Sequence, residues 1–218
     1  MTMHAVLTGD LVGSSRLDPA SLQGARQTFE TASAEIAGWS PQLVASTPDF
    51  FRGDSWQLLL TQPGFSLRAA FYIRARLKAG DPDWDTRIAI GLGEVAKIDK
   101  SRTSLSSGEA FLLSGHALDA MGSGTTLVVA APSQARSLAA LDVLARICST
   151  MADDWSPKQA QAVCLALAPG APTQVEMAER LGVTQQAVSK ALASAKISAF
   201  LQAAQYCETL TWPKLRLV

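Results

Sequence analysis

Over the first 151 residues, short apolar runs and amphipathic helical segments alternate in the order β-α-β-β-α-β-α-β-α, and few folds accept that order. Residues 5–9 form an apolar run that stops at Asp10 and a Gly13-Ser14-Ser15 turn, the pattern of a buried strand and a sharp loop. Over 19–38, Leu22, Ala25, Phe29, Ala32 and Ile36 recur at helical spacing. Residues 42–51 and 55–60 read as two strands around Arg52-Gly53-Asp54, which makes a hairpin. A helix over 65–79, a strand over 85–95, a Ser-, Lys- and Asp-rich loop over 96–107, a helix over 108–121, a strand over 127–131 and a helix over 133–151 complete the series. The expectation is an α+β domain with a ferredoxin-like core and additions.

Past residue 151 the strand signal stops. Helices are expected over 157–167, 173–181, 184–195 and 197–207, with breaks at Ala168-Pro-Gly-Ala-Pro172 and at Leu181-Gly-Val183. The boundary is therefore placed between 151 and 152, giving units 1–151 and 152–218.

Composition excludes several classes. With 48% hydrophobic and 17% charged residues over 218 positions, the chain has material for a sizeable core and is not a disordered tail. Nineteen Lys and Arg balance nineteen Asp and Glu, so the chain is no polycation and any nucleic-acid contact is local. Three distant cysteines, Cys148, Cys164 and Cys207, fit neither a disulfide framework nor a metal knuckle. No run approaches the ~18 apolar residues of a membrane span, and the first residues lack a secretory pattern. A cytoplasmic protein with no membrane partner is expected.

In the second unit, Thr173 followed by Glu176 makes a capping box, Gly182 suits a left-handed turn, and Thr184 caps the next helix. Val188 and Leu192 turn inward, which leaves Thr184, Gln185, Gln186, Ser189 and Lys190 as candidate contacts to base edges and phosphates of double-stranded DNA. The stretch Glu176-Met-Ala-Glu-Arg-Leu-Gly-Val-Thr-Gln-Gln-Ala-Val-Ser-Lys190 resembles the helix-turn-helix of bacterial regulators and sigma-type region-four modules. Residues 152–218 carry six Lys and Arg against five Asp and Glu, a net charge of +1. So weakly basic a module is expected to bind DNA as a homodimer, where two half-sites add their energies.

In the first unit, Asp10 ends the first strand and Asp54 sits in the hairpin, on elements that a ferredoxin-like sheet places side by side. Two close carboxylates repel each other, and a hard cation such as Mg²⁺ or Mn²⁺ relieves the repulsion while leaving positions open for phosphate oxygens. Leu11, Gly13, Ser14 and Ser15 then form a candidate phosphate-facing loop, with Arg52 and Gly53 beside it. Arg52 and Arg87 suit either phosphates or salt bridges, and Trp56 suits either base stacking or a core position.

Thr8-Gly-Asp-Leu-Val-Gly-Ser-Ser15, Phe51-Arg-Gly-Asp-Ser-Trp56, Arg87-Ile-Ala-Ile-Gly-Leu-Gly-Glu-Val95 and Ser107-Gly-Glu-Ala-Phe-Leu-Leu-Ser-Gly-His-Ala-Leu-Asp-Ala-Met121 resemble the successive motifs of the class III nucleotidyl cyclase catalytic domain. The chain as a whole is similar to the SatD family of small bacterial proteins. The cyclase resemblance implies that Asp10 and Asp54 hold the metal and that residues 11–15 face the phosphates of a nucleotide. It also implies an Asn and an Arg on the helix after the Gly-rich loop, but those positions fall at Leu112 and His116, which cannot do that work. The purine-selecting Lys and Asp have no clear counterparts near Phe50 and Leu105. The leading expectation is a DNA-binding transcriptional regulator whose cyclase-like domain senses a nucleotide with a divalent metal. The alternative is a divergent cyclase or nucleotidyltransferase that turns its nucleotide over.

Overall fold

The computed structural model describes residues 2–51, 53–133 and 138–212. Its elements are β1 (His4–Leu11), α1 (Pro19–Ala37), β2 (Asp49–Phe51), β3 (Ser55–Leu60), α2 (Ser66–Gly80), β4 (Thr86–Gly93), α3 (Glu109–Asp119), β5 (Leu127–Ala130), α4 (Ala139–Asp153), α5 (Pro157–Leu167), α6 (Gln174–Leu181), α7 (Gln185–Ser194) and α8 (Ile197–Thr209). The strands form one mixed sheet in the order β2-β3-β1-β4-β5. Neighbours among the first four are antiparallel, and β5 joins β4 in parallel. This is the split βαβ order of ferredoxin-like folds with one added strand.

Strand alternation divides the sheet into two faces. Ala5, Leu7 and Leu11 of β1, Trp56, Leu58 and Leu60 of β3, and Ile88, Ile90 and Leu92 of β4 enter the main core beneath α1 and α2. The opposite face carries Val6, Leu59 and Ala89, and α3 lies across it. Gly91 permits that approach, because a Cβ there would stand 2.0 Å from the Ala110 carbonyl oxygen. On the other face, a Cβ at Gly9 would meet the Trp56 ring at 2.3 Å. Trp56 is fully buried, stacks against Phe29 at 4.5 Å and donates its indole N–H to the Thr86 hydroxyl at 3.0 Å. It is a core residue.

Two expectations need adjustment. The strand expected over 42–51 is confined to 49–51, with Val44 making only an isolated bridge to Leu60. Pro48 has no N–H to offer a ladder, and Thr47 before it bonds instead to the 96–107 loop: Thr47 N to Lys100 O at 3.1 Å and Thr103 N to Thr47 O at 3.0 Å. The helix expected over 133–151 is observed as Ala139–Asp153, and residues 134–137 lie outside the described segments.

The last four helices do not stand apart from the sheet layer. Trp155, Val163, Cys164, Leu167, Phe200 and Cys207 join the main core, and Phe200 packs edge-on against Phe71 of α2 at 5.0 Å. Arg68 of α2 grips Glu208 of α8 at 2.5 Å and donates to the Leu167 carbonyl of α5 at 2.9 Å. Helices α6 and α7 have their own small core: Met177, Ala178, Val188 and Leu192 against Ala162 and Ala166 of α5. The three cysteines are free and buried, and burial pushes the thiols of Cys148 and Cys207 up to about 11 and that of Cys164 up to about 12. Among the described residues no helix is long and apolar enough to cross a membrane.

Candidate functional site

The two singled-out aspartates meet at one corner of the sheet. Asp10 is the penultimate residue of β1, directly opposite Ser55 of β3 and Arg87 of β4 in the strand register. Asp54 precedes Ser55, and its carbonyl accepts the Leu11 N–H at 3.3 Å. Arg87 donates through Nε to Asp10 Oδ1 at 2.9 Å and through Nη2 to Oδ2, a two-pronged pair. Ser14 donates its hydroxyl to Asp54 Oδ2. The hydrogen bonds that Arg87 donates to Asp10 come first in holding it above its ordinary value, partial burial opposes them, and the charges of Asp10 and Asp54 add to them.

The adjoining loop is built around one left-handed glycine. Gly13 has φ 64°, and the chain then makes a short 3₁₀ turn over Ser14–Arg16 before Asp18 caps α1 by accepting the Ser21 N–H at 2.8 Å. Leu11 is buried, so only its backbone faces the corner, and its N–H is already bonded. The Val12 N–H is bonded to the Asp85 carbonyl at 2.9 Å. Ser15 is exposed, and Ser14 and Gly13 are half-buried. Gly53 is exposed with φ 90°, and its carbonyl accepts from Arg26 of α1. Arg52 lies outside the described residues.

Arg26 was not among the sequence candidates. Its guanidinium lies 5.5 Å from the centre of the Phe50 ring as well as against the hairpin tip. The available signal was weak: one cation on α1, one helical turn before the core residue Phe29. With Arg87 it gives the corner two cationic side chains next to two carboxylates.

Asp10 and Asp54 are hard oxygen donors of the type Mg²⁺ or Mn²⁺ takes. Among the described residues no group of three or more His, Cys, Asp or Glu side chains gathers as a metal-binding cluster. A cation at this corner would have to take its remaining ligands from backbone, water or an anionic ligand. The donor set fits a cation that is shared with phosphate oxygens.

No protein-family model matches this chain, and no curated protein matches it. Among solved structures the chain is similar to a guanylyl cyclase, with 16% identity over 58% of this chain and 74% of that one and a TM-score of 0.40. It is also similar to the catalytic core of a rhodopsin-guanylyl cyclase of converted specificity in complex with ATPαS, with 13% identity over 59% of this chain and 77% of that one, again at a TM-score of 0.40.

Leu112 and His116 both lie on the exposed side of α3, where Leu112 is 63% exposed. Neither has a bond to the aspartate corner.

At the far end of the chain, the α6–α7 pair has the local geometry its sequence suggests. Thr173 accepts the Glu176 N–H at 3.3 Å, and Glu176 accepts the Thr173 N–H at 2.7 Å, which holds the Glu176 carboxyl below its ordinary range. Gly182 turns left-handed at φ 64°, the Val183 N–H reaches back to the Ala178 carbonyl at 3.0 Å, and Thr184 caps α7 by accepting the Ala187 N–H at 3.2 Å. Val188 and Leu192 are buried, while Thr184, Gln185, Gln186, Ser189 and Lys190 are exposed together on one stretch of α7.

Proposed function

We propose that the protein is a DNA-binding transcriptional regulator in which residues 1–151 form a cyclase-like domain that binds a nucleotide with a divalent cation, and residues 152–218 form a helix-turn-helix DNA-binding domain, the arrangement expected of a SatD-like protein. The observation that carries the reading is the corner where Asp10, near the end of β1, and Asp54, in the turn that leads into the neighbouring strand β3, adjoin beside the 11–15 loop. Mg²⁺ or Mn²⁺ held by those two carboxylates would neutralise phosphate charge. Gly13, Ser14 and Ser15 contribute the loop, and Arg87, Arg26 and Arg52 contribute positive charge. In the DNA-binding half, Thr184, Gln185, Gln186, Ser189 and Lys190 face the major groove, and a homodimer supplies two half-sites.

Regulation requires that the nucleotide favour one arrangement of the two units over the other. A physical route supports this. The Val12 N–H is bonded to the Asp85 carbonyl, the Asp85 side chain holds Arg74, and Arg74 holds Asp153 at the end of α4, at the start of the second unit. Calorimetric titration with nucleoside triphosphates and Mg²⁺ tests the sensing half. Heat from at least one triphosphate, lost in Asp10→Ala, is expected. No heat from any triphosphate sinks the reading.

A second reading keeps the site and adds turnover, since paired metal aspartates also serve nucleotidyl transfer. The positions occupied by Leu112 and His116 weigh against efficient cyclisation, because missing transition-state donors typically cost ~10²–10³ in rate each. Incubation with ATP or GTP and Mn²⁺, followed by product analysis, separates the two: product that disappears in Asp54→Ala favours the enzyme.

A further inference from the structure

Arg87 stands opposite Asp10 in the strand register and pairs with that carboxylate without being enclosed. Helix α3 covers β4 from Gly93, where Glu109 and Ala110 lie, through Gly91, to Ala89, where Leu118 and Met121 pack. It ends there, so the next residue on that face, Arg87, emerges beyond the helix with its side chain 36% exposed, while Asp10 is 18% exposed. The guanidinium occupies both oxygens of Asp10. A divalent cation needs at least one of those oxygens, and two positive groups on one carboxylate repel.

We propose that Arg87 is the resident counter-ion of the Asp10–Asp54 pair, a positioning residue that a divalent cation displaces from Asp10 and that, once displaced, holds an anionic oxygen of the polyphosphate. This rests on the nucleotide-with-metal reading above. In the metal-free protein the fork neutralises Asp10 and eases its repulsion with Asp54. When the cation enters, the half-exposed side chain swings aside at little cost, and a phosphate oxygen is the partner that restores its charge balance. Metal and polyphosphate then bind with mutual reinforcement, since each removes an obstacle to the other.

The test uses the full chain, Mn²⁺ alone as the first probe and inorganic tripolyphosphate as the second, with affinity read by calorimetry or by the Mn²⁺ paramagnetic signal. Arg87→Gln is expected to bind Mn²⁺ about two- to fivefold more tightly than the unsubstituted protein, the range of a partly exposed ion pair released from competition. Tripolyphosphate is expected to tighten Mn²⁺ binding in the unsubstituted protein and to do so less in Arg87→Gln. Arg87→Lys, which keeps the charge but loses the fork, is expected to fall between them and serves if the glutamine variant fails to fold. Mn²⁺ binding that is lost in Asp54→Asn yet equal or weaker in Arg87→Gln overturns the counter-ion role and leaves the metal site standing. Absence of Mn²⁺ binding in every variant overturns both.

Discussion

Two arginine–aspartate clusters lie at the start of β4, one through Asp85 just before the strand and one through Arg87 within it, and they differ in what surrounds them. Arg74 of α2 is fully buried and bonded on every side: to Asp85 through Nε at 2.9 Å and Nη2 at 2.6 Å, to Asp153 at 2.7 Å, and to the Ser149 carbonyl and hydroxyl at 3.3 Å. Lys78 adds a contact to Asp85 at 3.2 Å. Arg87 has one aspartate, with a third of its side chain in solvent. The pieces are the same, but solvation makes the first a clamp between α2, β4 and α4 and leaves the second exchangeable. Burial by itself raises the Asp85 carboxyl, and the charge and hydrogen bonds of Arg74 overcome this and hold it below its ordinary range. Arg74 is held above its ordinary value by the same partners, against its own burial.

The contrast can be broken most forcefully at Arg74. Arg74→Met leaves Asp85 buried beside a single lysine, and urea unfolding is expected to show a loss of about 3–5 kcal/mol. A loss below about 1 kcal/mol, the size expected of an exposed pair, would erase the distinction between the clusters.

Next comes the acid response. The Asp85 carboxyl titrates lower in the fold than in the unfolded chain, so acid favours unfolding through this group. Its contribution is complete above about pH 4, the ordinary aspartate value, and drains away as pH falls through the lower folded value. Thermal melts from pH 6 to pH 2 are expected to fall less steeply below pH 4 in Asp85→Asn than in the unsubstituted protein. Parallel curves would remove Asp85 from the acid response.

A smaller effect is expected from Ser149→Ala, which takes one hydroxyl from the clamp while Arg74 keeps its carboxylates. About 1 kcal/mol is expected from equilibrium unfolding, the worth of one hydrogen bond. The smallest change in stability belongs to Arg87→Gln. Without metal it is expected to stay within about 1 kcal/mol of the unsubstituted protein. A deficit as large as that of Arg74→Met would mark the second cluster as structural too.

Much of the architecture could be read from local pattern. The order of strands and helices through α4, and all four later helices, follow from apolar periodicity and from caps such as Thr173, Gly182 and Thr184, because these signals lie within a few residues of the geometry they cause. The reading failed at 42–48, where the loop carrying Thr103, about 56 residues away, competes with the strand ladder. At the candidate site, Asp10 and Asp54 were legible as strand-end and hairpin residues. Their partners were less so. Arg87 remained ambiguous between phosphate and salt bridge until the register placed it opposite Asp10, and Arg26 carried no usable signal.

The attachment of the last helices was also invisible. The end of the strand signal at 151 marks where the helical unit begins, and from that unit Trp155 and Phe200 reach into the main core, while Arg68 ties α2 to α5 and α8. Periodicity reports which face of a helix is apolar and is silent about which surface covers it.

The sequence by itself determined the order and caps of the elements, because those depend on neighbours a few positions apart. Which arginine is enclosed and which remains open to exchange was decided by the tertiary structure alone. Arg74 meets Asp153 across 79 residues and Arg87 meets Asp10 across 77, and at such separations the packing of α2 on α4 for the first pair, and the strand register with the length of α3 for the second, set how much water each keeps.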